Sequence, residues 1–195
     1  MGQPGNIVLI HAHPYPKRSR ANRALLRAVE DLPGLSVRSL YDRYPDFAID
    51  IEAEKEALLA ADVIVWQSPF YWYGVPSLLQ HWFEKVLEHG WAYGSGGNAL
   101  CGKRVLWVTT TGSPPSGYRA EGMHHHRFEL FVPPIEQTAR FCGMSWEEPI
   151  IVHGAHLIDA AELASWGRTY RSRLEALLPA PARVRALQAD RGSDR

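Results

Sequence analysis

The sequence predicts an α/β protein, a three-layer sandwich in which a five-stranded parallel sheet of order 2-1-3-4-5 is covered by helices on both faces. The first observation is that short β-branched runs alternate five times with segments of helical periodicity, a pattern that makes neighbouring strands parallel. The second is that runs such as Ile7-Val8-Leu9-Ile10 are apolar throughout, as in strands buried on both sides. Length is the third: 195 residues and 22.0 kDa suit one domain with a real core.

Residues 6–10 (Asn-Ile-Val-Leu-Ile) read as the first strand, followed by a polar loop with two prolines. From Arg20 the apolar positions Ala21, Ala24, Leu25, Ala28 and Val29 have helical spacing, and Pro33-Gly34 stops the helix. Residues 35–40 form a second strand, 41–51 a loop and 52–61 an amphipathic helix. Val63-Ile64-Val65-Trp66-Gln67 is the third strand, ended by Ser68-Pro69; an aromatic loop leads to a helix from about Pro76 to Gly90. Residues 104–109 make the fourth strand, followed by a loop rich in Thr, Gly and Pro. Pro133-Pro134 opens a helix that Gly143 closes, since proline at a helix start lacks only an N–H that is not needed there. Residues 149–153 are the fifth strand and 159–178 the last long helix. A single domain therefore spans 1–178, and the Pro-, Ala- and Arg-rich tail 179–195 is expected to be disordered.

Composition removes several classes of function. Basic and acidic residues number 21 each, which argues against nucleic acid held through a general basic field. Cys101 and Cys142 have neither CxxC nor metal-ligand spacing and read as free thiols in a reducing compartment. No apolar stretch approaches the roughly 20 residues of a membrane-spanning helix, and no leader pattern precedes the first strand, so a cytoplasmic location is expected. Seven Trp and eight Tyr are an unusual share, and such side chains serve both as core and as platforms for flat ligands.

Ligands of open α/β sheets bind beyond the carboxyl ends of the strands, near the switch in strand order. Three loops leave those ends, and each is chemically loaded. In the first, 11–22, Ser19 is placed to cap a helix, which leaves the amides of Arg20, Ala21 and Asn22 to face an anion such as phosphate. His13, Arg18 and Arg20 add donors, while a GxGxxG or Walker sequence is absent. In the second, Phe70, Tyr71, Trp72 and Tyr73 cannot all enter one core, so some must line a cleft or underlie a subunit contact. In the third, Thr110, Thr111, Gly112 and Ser113 offer hydroxyls and open backbone. Beyond it lie Tyr118 and the run His124-His125-His126; neighbouring residues point apart and nothing completes a ligand set, so no metal is assigned.

These pieces resemble the flavodoxin-like NAD(P)H:quinone oxidoreductase family and, within it, the ancillary subunits of glutathione-regulated potassium-efflux systems. The resemblance rests on His-Pro-Tyr-Pro (13–16), Ser-x-Ala-Asn (19–22), Tyr-Pro-Asp-Phe-x-Ile-Asp (44–50) and Ala-Asp-x-Ile-Val-Trp-Gln (61–67). It continues through Trp-Tyr-x-x-Pro (72–76), His-Gly-Trp-Ala-Tyr-Gly (89–94) and Thr-Thr-Gly (110–112), so that it covers nearly the whole chain. It implies a flavodoxin-like fold and FMN as cofactor, FAD being the less favoured flavin. Under it, His13, Ser19, Arg20, Ala21 and Asn22 look like phosphate and ribityl ligands. Phe70, Tyr71, Trp72 and Tyr73 would flank the isoalloxazine, and Thr110, Thr111, Gly112 and Ser113 would meet its pyrimidine side. Related subunits often carry Gly where this chain has Ser113, and Pro114-Pro115 follows, so the loop is expected to differ in shape.

The wider family also carries a Tyr followed six residues later by a His, a spacing that Tyr118 and His124 match. Their implied role is to compensate negative charge on the reduced flavin or to pass a proton to the quinone. The implied reaction is a ping-pong, two-electron transfer: NADH or NADPH delivers hydride to flavin N5 and leaves, and a quinone takes its place. A homodimer with the flavin at the interface is also implied. So is a regulatory role in which the chain binds and activates a potassium-efflux membrane protein, peripheral at the inner membrane through that partner.

Overall fold

The computed structural model describes residues 6–178. Five strands lie side by side in the order β2-β1-β3-β4-β5, all parallel: β1 (Ile7–His11), β2 (Leu35–Ser39), β3 (Val63–Pro69), β4 (Arg104–Thr110) and β5 (Ser145–Val152). The predicted topology is the one observed. Period-two alternation sends the strand residues to two cores. Ile7, Leu9, Val63, Val65, Leu106 and Val108 face a core closed by α1 (Ala21–Arg27) and α6 (Ala160–Leu177). Val8, Ile10, Ile64, Trp66, Val105 and Trp107 face the other core, closed by α3 (Ile51–Ala60), α4 (Ser77–Val86) and α5 (Pro133–Phe141).

The departures from the expected elements have local causes. The stretch 41–51 contains a one-turn helix, α2 (Leu40–Arg43), and Asp50 caps α3 by accepting the Ala53 amide at 3.1 Å. Helix α4 stops at Val86, short of Gly90. Strand β5 begins at Ser145 rather than at residue 149. The register jumps there, Leu106 facing Glu147 but Val108 facing Ile150, so the strand bulges beside Pro149. Proline lacks the ladder N–H and survives on an edge strand or at a bulge; this site is both. The polar residues before it hid the strand. The tail 179–195 lies outside the described residues.

One buried charge fastens the β2 side of the sheet to the helices. Glu54 on α3 is fully buried, with Oε1 2.6 Å from Arg38 Nη2 and 2.6 Å from the Tyr44 hydroxyl, while Oε2 accepts Trp82 Nε1–H at 3.0 Å. Strand β2, the chain after α2, and helix α4 thus meet at one carboxylate.

Candidate active site

The carboxyl ends of β1, β3 and β4 are neighbours in the sheet, and the loops leaving them enclose a cavity of about 470 Å³. The first wall comes from the loop after β1. His13 is 7% exposed, and its Nδ1 accepts the Tyr15 amide at 3.0 Å. Burial lowers its pKa, so the ring is neutral with its proton on Nε2 and remains an N–H donor. Ser19 Oγ accepts the Asn22 amide at 3.2 Å, a capping-type bond made from one residue ahead of the N-cap position expected for it. That bond uses one of the three amides expected to be open, which leaves those of Arg20 and Ala21; Arg20 itself takes the N-cap position. The Arg20 guanidinium donates to the Ile158 carbonyl, bracing the start of α1 against the loop after β5.

Asn22 is almost fully buried at the cavity wall. Its Nδ2 donates to Thr110 Oγ1 at 2.8 Å, and its carbonyl accepts from Gln67 Nε2 at 2.9 Å. Its Oδ1 has no partner. An unsatisfied buried acceptor is costly, and here it meets the need of a ligand hydroxyl. A phosphate tail that carries hydroxyls, as in a flavin nucleotide, fits this donor and acceptor set.

The aromatic loop after β3 divides. Phe70 is buried against Phe128 at 4.7 Å between centroids, and Tyr71 lines the cavity beside it. The chain then doubles back, with Tyr71 N–H donating to the Gly74 carbonyl at 3.1 Å and Gly74 N–H donating to the Tyr71 carbonyl at 3.0 Å. Trp72 and Tyr73 form the tip of this turn with φ of 50° and 64°; Trp72 points outward, 95% exposed, while the half-exposed Tyr73 ring packs on Phe131 at 5.3 Å and His124 at 5.8 Å. Neither Trp72 nor Tyr73 contributes to the cavity wall.

From the loop after β4, Thr110, Thr111 and Gly112 line the cavity. A Cβ at Gly112 would meet nothing closer than the His156 ring at 3.7 Å, so the glycine keeps the backbone open to a ligand rather than relieving a clash. Ser113 turns away from the wall, and its Oγ lies 2.8 Å from His124 Nε2. The His124 ring stacks on Tyr118 at 4.2 Å and 16°, while its Nδ1 is buried without a partner. Tyr118 is 7% exposed, and burial raises its pKa, which keeps the hydroxyl protonated. Tyr118 and His124 therefore join the site through Ser113 and the loop rather than as part of the wall. The three histidines go separate ways: His125 Nδ1 lies 3.4 Å from the Ala120 carbonyl, and His126 approaches Phe131. Among the described residues no group of three or more His, Cys, Asp or Glu side chains is gathered as a metal site.

Arg18, a donor expected from the first loop, lines the cavity, and the structure adds residues not singled out from the sequence: Ala155 and His156, from the loop after β5, complete the wall, as do Tyr15 and Pro69. His153, just after β5, lies 5.2 Å from the Tyr118 ring. Thr111 Oγ1 donates to the Ser113 carbonyl at 2.7 Å and lies 2.9 Å from His153 Nδ1. A hydroxyl has one proton, so His153 must donate from Nδ1, which sets its tautomer. The signal was available: β5 follows β4 in the predicted order, so the loop 153–159 had to open on the same edge.

Sheet order and cavity placement define an α/β protein of the doubly wound class with a cavity at its topological switch. The chain belongs to the flavodoxin-like fold family, whose model matches residues 5–174. It is 46% identical over 168 residues to the glutathione-regulated potassium-efflux system ancillary protein KefF of Enterobacter sp. (strain 638), covering 86% of this chain and 94% of that protein. Among solved structures, one described as a thermophilic tryptophan halogenase from Streptomycin violaceusniger superposes with a TM-score of 0.81 at 38% identity, over 86% of this chain and 97% of that one. General stress protein 14 of Treponema denticola, solved in complex with FMN, superposes with a TM-score of 0.81 at 34% identity, over 88% of this chain and 99% of that one.

Proposed function

We propose that this protein is an FMN-dependent NAD(P)H:quinone oxidoreductase that works by a ping-pong, two-electron mechanism. The observation that supports it best is the cavity at the carboxyl edge, where His13, Ser19, Asn22 and Thr110 converge and Asn22 Oδ1 stands buried without a partner. The FMN complex of the Treponema denticola protein supports FMN rather than FAD. When bound, the flavin supplies the chemistry of passing two electrons from NADH or NADPH to a quinone; the protein contributes binding, orientation and charge compensation.

His13, Ser19, Arg20, Ala21 and Asn22 hold the phosphate and ribityl end. Phe70 and Tyr71 edge the ring, while Thr110, Thr111 and Gly112 offer polar backbone and hydroxyls to its pyrimidine side. Tyr118, which keeps its hydroxyl proton through burial, and His124, held at Nε2 by Ser113, compensate negative charge on the reduced flavin or pass a proton to the quinone. Exposed Trp72 and Tyr73 suit a homodimer contact, in which a second copy covers the cavity mouth.

The test is to release the cofactor from purified protein, identify it by mass, and follow NADPH oxidation with a soluble quinone. FMN and parallel double-reciprocal lines are expected. A colourless protein that cannot be reconstituted with FMN overturns the proposal. In Tyr118→Phe and His124→Gln, turnover with quinone is expected to fall about 10²-fold with FMN retained.

A second reading is favoured by the likeness to the Enterobacter protein: the chain is the ancillary partner of a potassium-efflux membrane protein, with redox activity secondary. Among the described residues no helix is long and apolar enough to cross a membrane, so contact with the inner membrane from the cytoplasm would come through that partner.

A further inference from the structure

Apart from the cavity at the carboxyl edge, a larger groove of about 840 Å³ runs between α1 and α6. Its floor is small and apolar, made by Ala24, Ala28, Ala164 and Gly167. Its rims are arginine. Arg20, Arg23 and Arg27 follow the i, i+3, i+7 spacing of one helical face along α1, and Arg168 and Arg171 stand at i, i+3 along α6. With Arg18 at one end, six guanidinium groups surround one groove in a chain whose basic and acidic residues number 21 each overall.

Little in the described structure neutralises them. Arg171 pairs with Asp31 at 2.5 Å and Glu175 at 3.1 Å. Arg20 and Arg23 each donate to one backbone carbonyl, of Ile158 and Lys17, which leaves further donors on each fork. The Arg18, Arg27 and Arg168 side chains have no hydrogen-bond or ion-pair partner among the described residues. Part of the small-residue floor has a packing cause, because a Cβ at Gly167 would lie 2.9 Å from Ala28 Cβ. The paired arginine rails have no such cause.

We propose that this groove docks an acidic helical segment of the potassium-efflux protein that the chain serves; the inference rests on the regulatory reading above. A helix fits the shape. Two packed helices offer no open backbone edge to which a strand could add, whereas a helical ridge seats between them with carboxylates at i, i+3 or i+4 facing each rail. Arg–carboxylate forks would supply both strength and register. A lipid surface suits the groove less well, because a flat bilayer meets the rims but not the recessed floor. The groove also shares Arg18, Ser19 and Arg20 with the cofactor cavity, so an occupant would sit against the loop that holds the flavin phosphate.

The experiment measures binding of the FMN-loaded protein to the detergent-solubilised potassium-efflux protein of the Enterobacter system. Arg27→Glu/Arg168→Glu is expected to weaken it at least about tenfold, and Arg27→Lys/Arg168→Lys to retain most of it, with flavin content and quinone reduction unchanged in both. Wild-type affinity should fall steeply with salt. If the wild-type protein binds and the charge reversal binds equally well, the groove is overturned while the regulatory reading stands. If the wild-type protein fails to bind where the Enterobacter relative does, both fall. Binding to phosphatidylglycerol vesicles instead, lost on charge reversal, would make the groove a lipid site and overturn the proposal.

Discussion

Glu54 shows what a single buried charge does here. Its carboxylate has no exposure and is held by Arg38, Tyr44 and Trp82. Removing one member of such a set strands the others, so Glu54→Ala is expected to cost about 3–5 kcal/mol in chemical denaturation. A loss of less than about 1 kcal/mol would show that Arg38 finds water on its own. His11, at the end of β1, is a different case. It is 3% exposed, its Nε2 has no partner, and burial, with His13 adding to it and Asp42 opposing, lowers its pKa from 6.5 to about 4. Above pH 6.5 the ring is neutral in both folded and unfolded chains, and the full stability is present. As pH falls from 6.5 towards 4 the unfolded chain takes the proton first, and about 3 kcal/mol is lost before the effect levels off. Urea midpoints across this range should fall for the wild type and fall less for His11→Asn; equal slopes would remove His11 as the cause.

At the scale of elements, the turn at Trp72 and Tyr73 works against its own backbone. A two-residue hairpin with both central φ values positive is a place for Asn-Gly, and β-carbons there cost on the order of 1 kcal/mol each. Trp72→Asn, at the 95% exposed position, is therefore expected to raise stability by about 1 kcal/mol while weakening any self-association, read by denaturation and by sedimentation. Unchanged self-association would place the dimer contact elsewhere. Sequence patterns showed the aromatic loop but could not show this division of labour. Phe70 and Trp72 are both large aromatics in one short run, and only the packing of Phe128 against Phe70 and against Trp107 of β4 shows which goes in. Strand β5 was half legible for a similar reason: Ile150 and Val152 read as strand, but Trp146 and Glu147 lie on an edge beyond a bulge, where apolar periodicity is not required.

For the whole molecule, strand order was legible because every core strand is apolar on both sides, and parallel crossovers of one hand leave few arrangements. The edge on which the cavity opens followed from that order, and with it the loops at Ser19, Phe70 and Thr110. The participation of His153 and His156 did not, since neither belongs to a motif and both depend on how far β5 extends beside β4. The same global layering has a spectroscopic outcome. Of seven tryptophans, Trp66, Trp82 and Trp107 are fully shielded within one layer, whereas Trp72 stands 95% in water. The red edge of the intrinsic fluorescence thus belongs largely to one indole, at the tip of the turn that follows Tyr71 of the cavity wall. That makes the unmodified protein its own reporter: whatever settles over Trp72 shifts its emission to the blue, and a ligand confined to the α1–α6 groove leaves it alone.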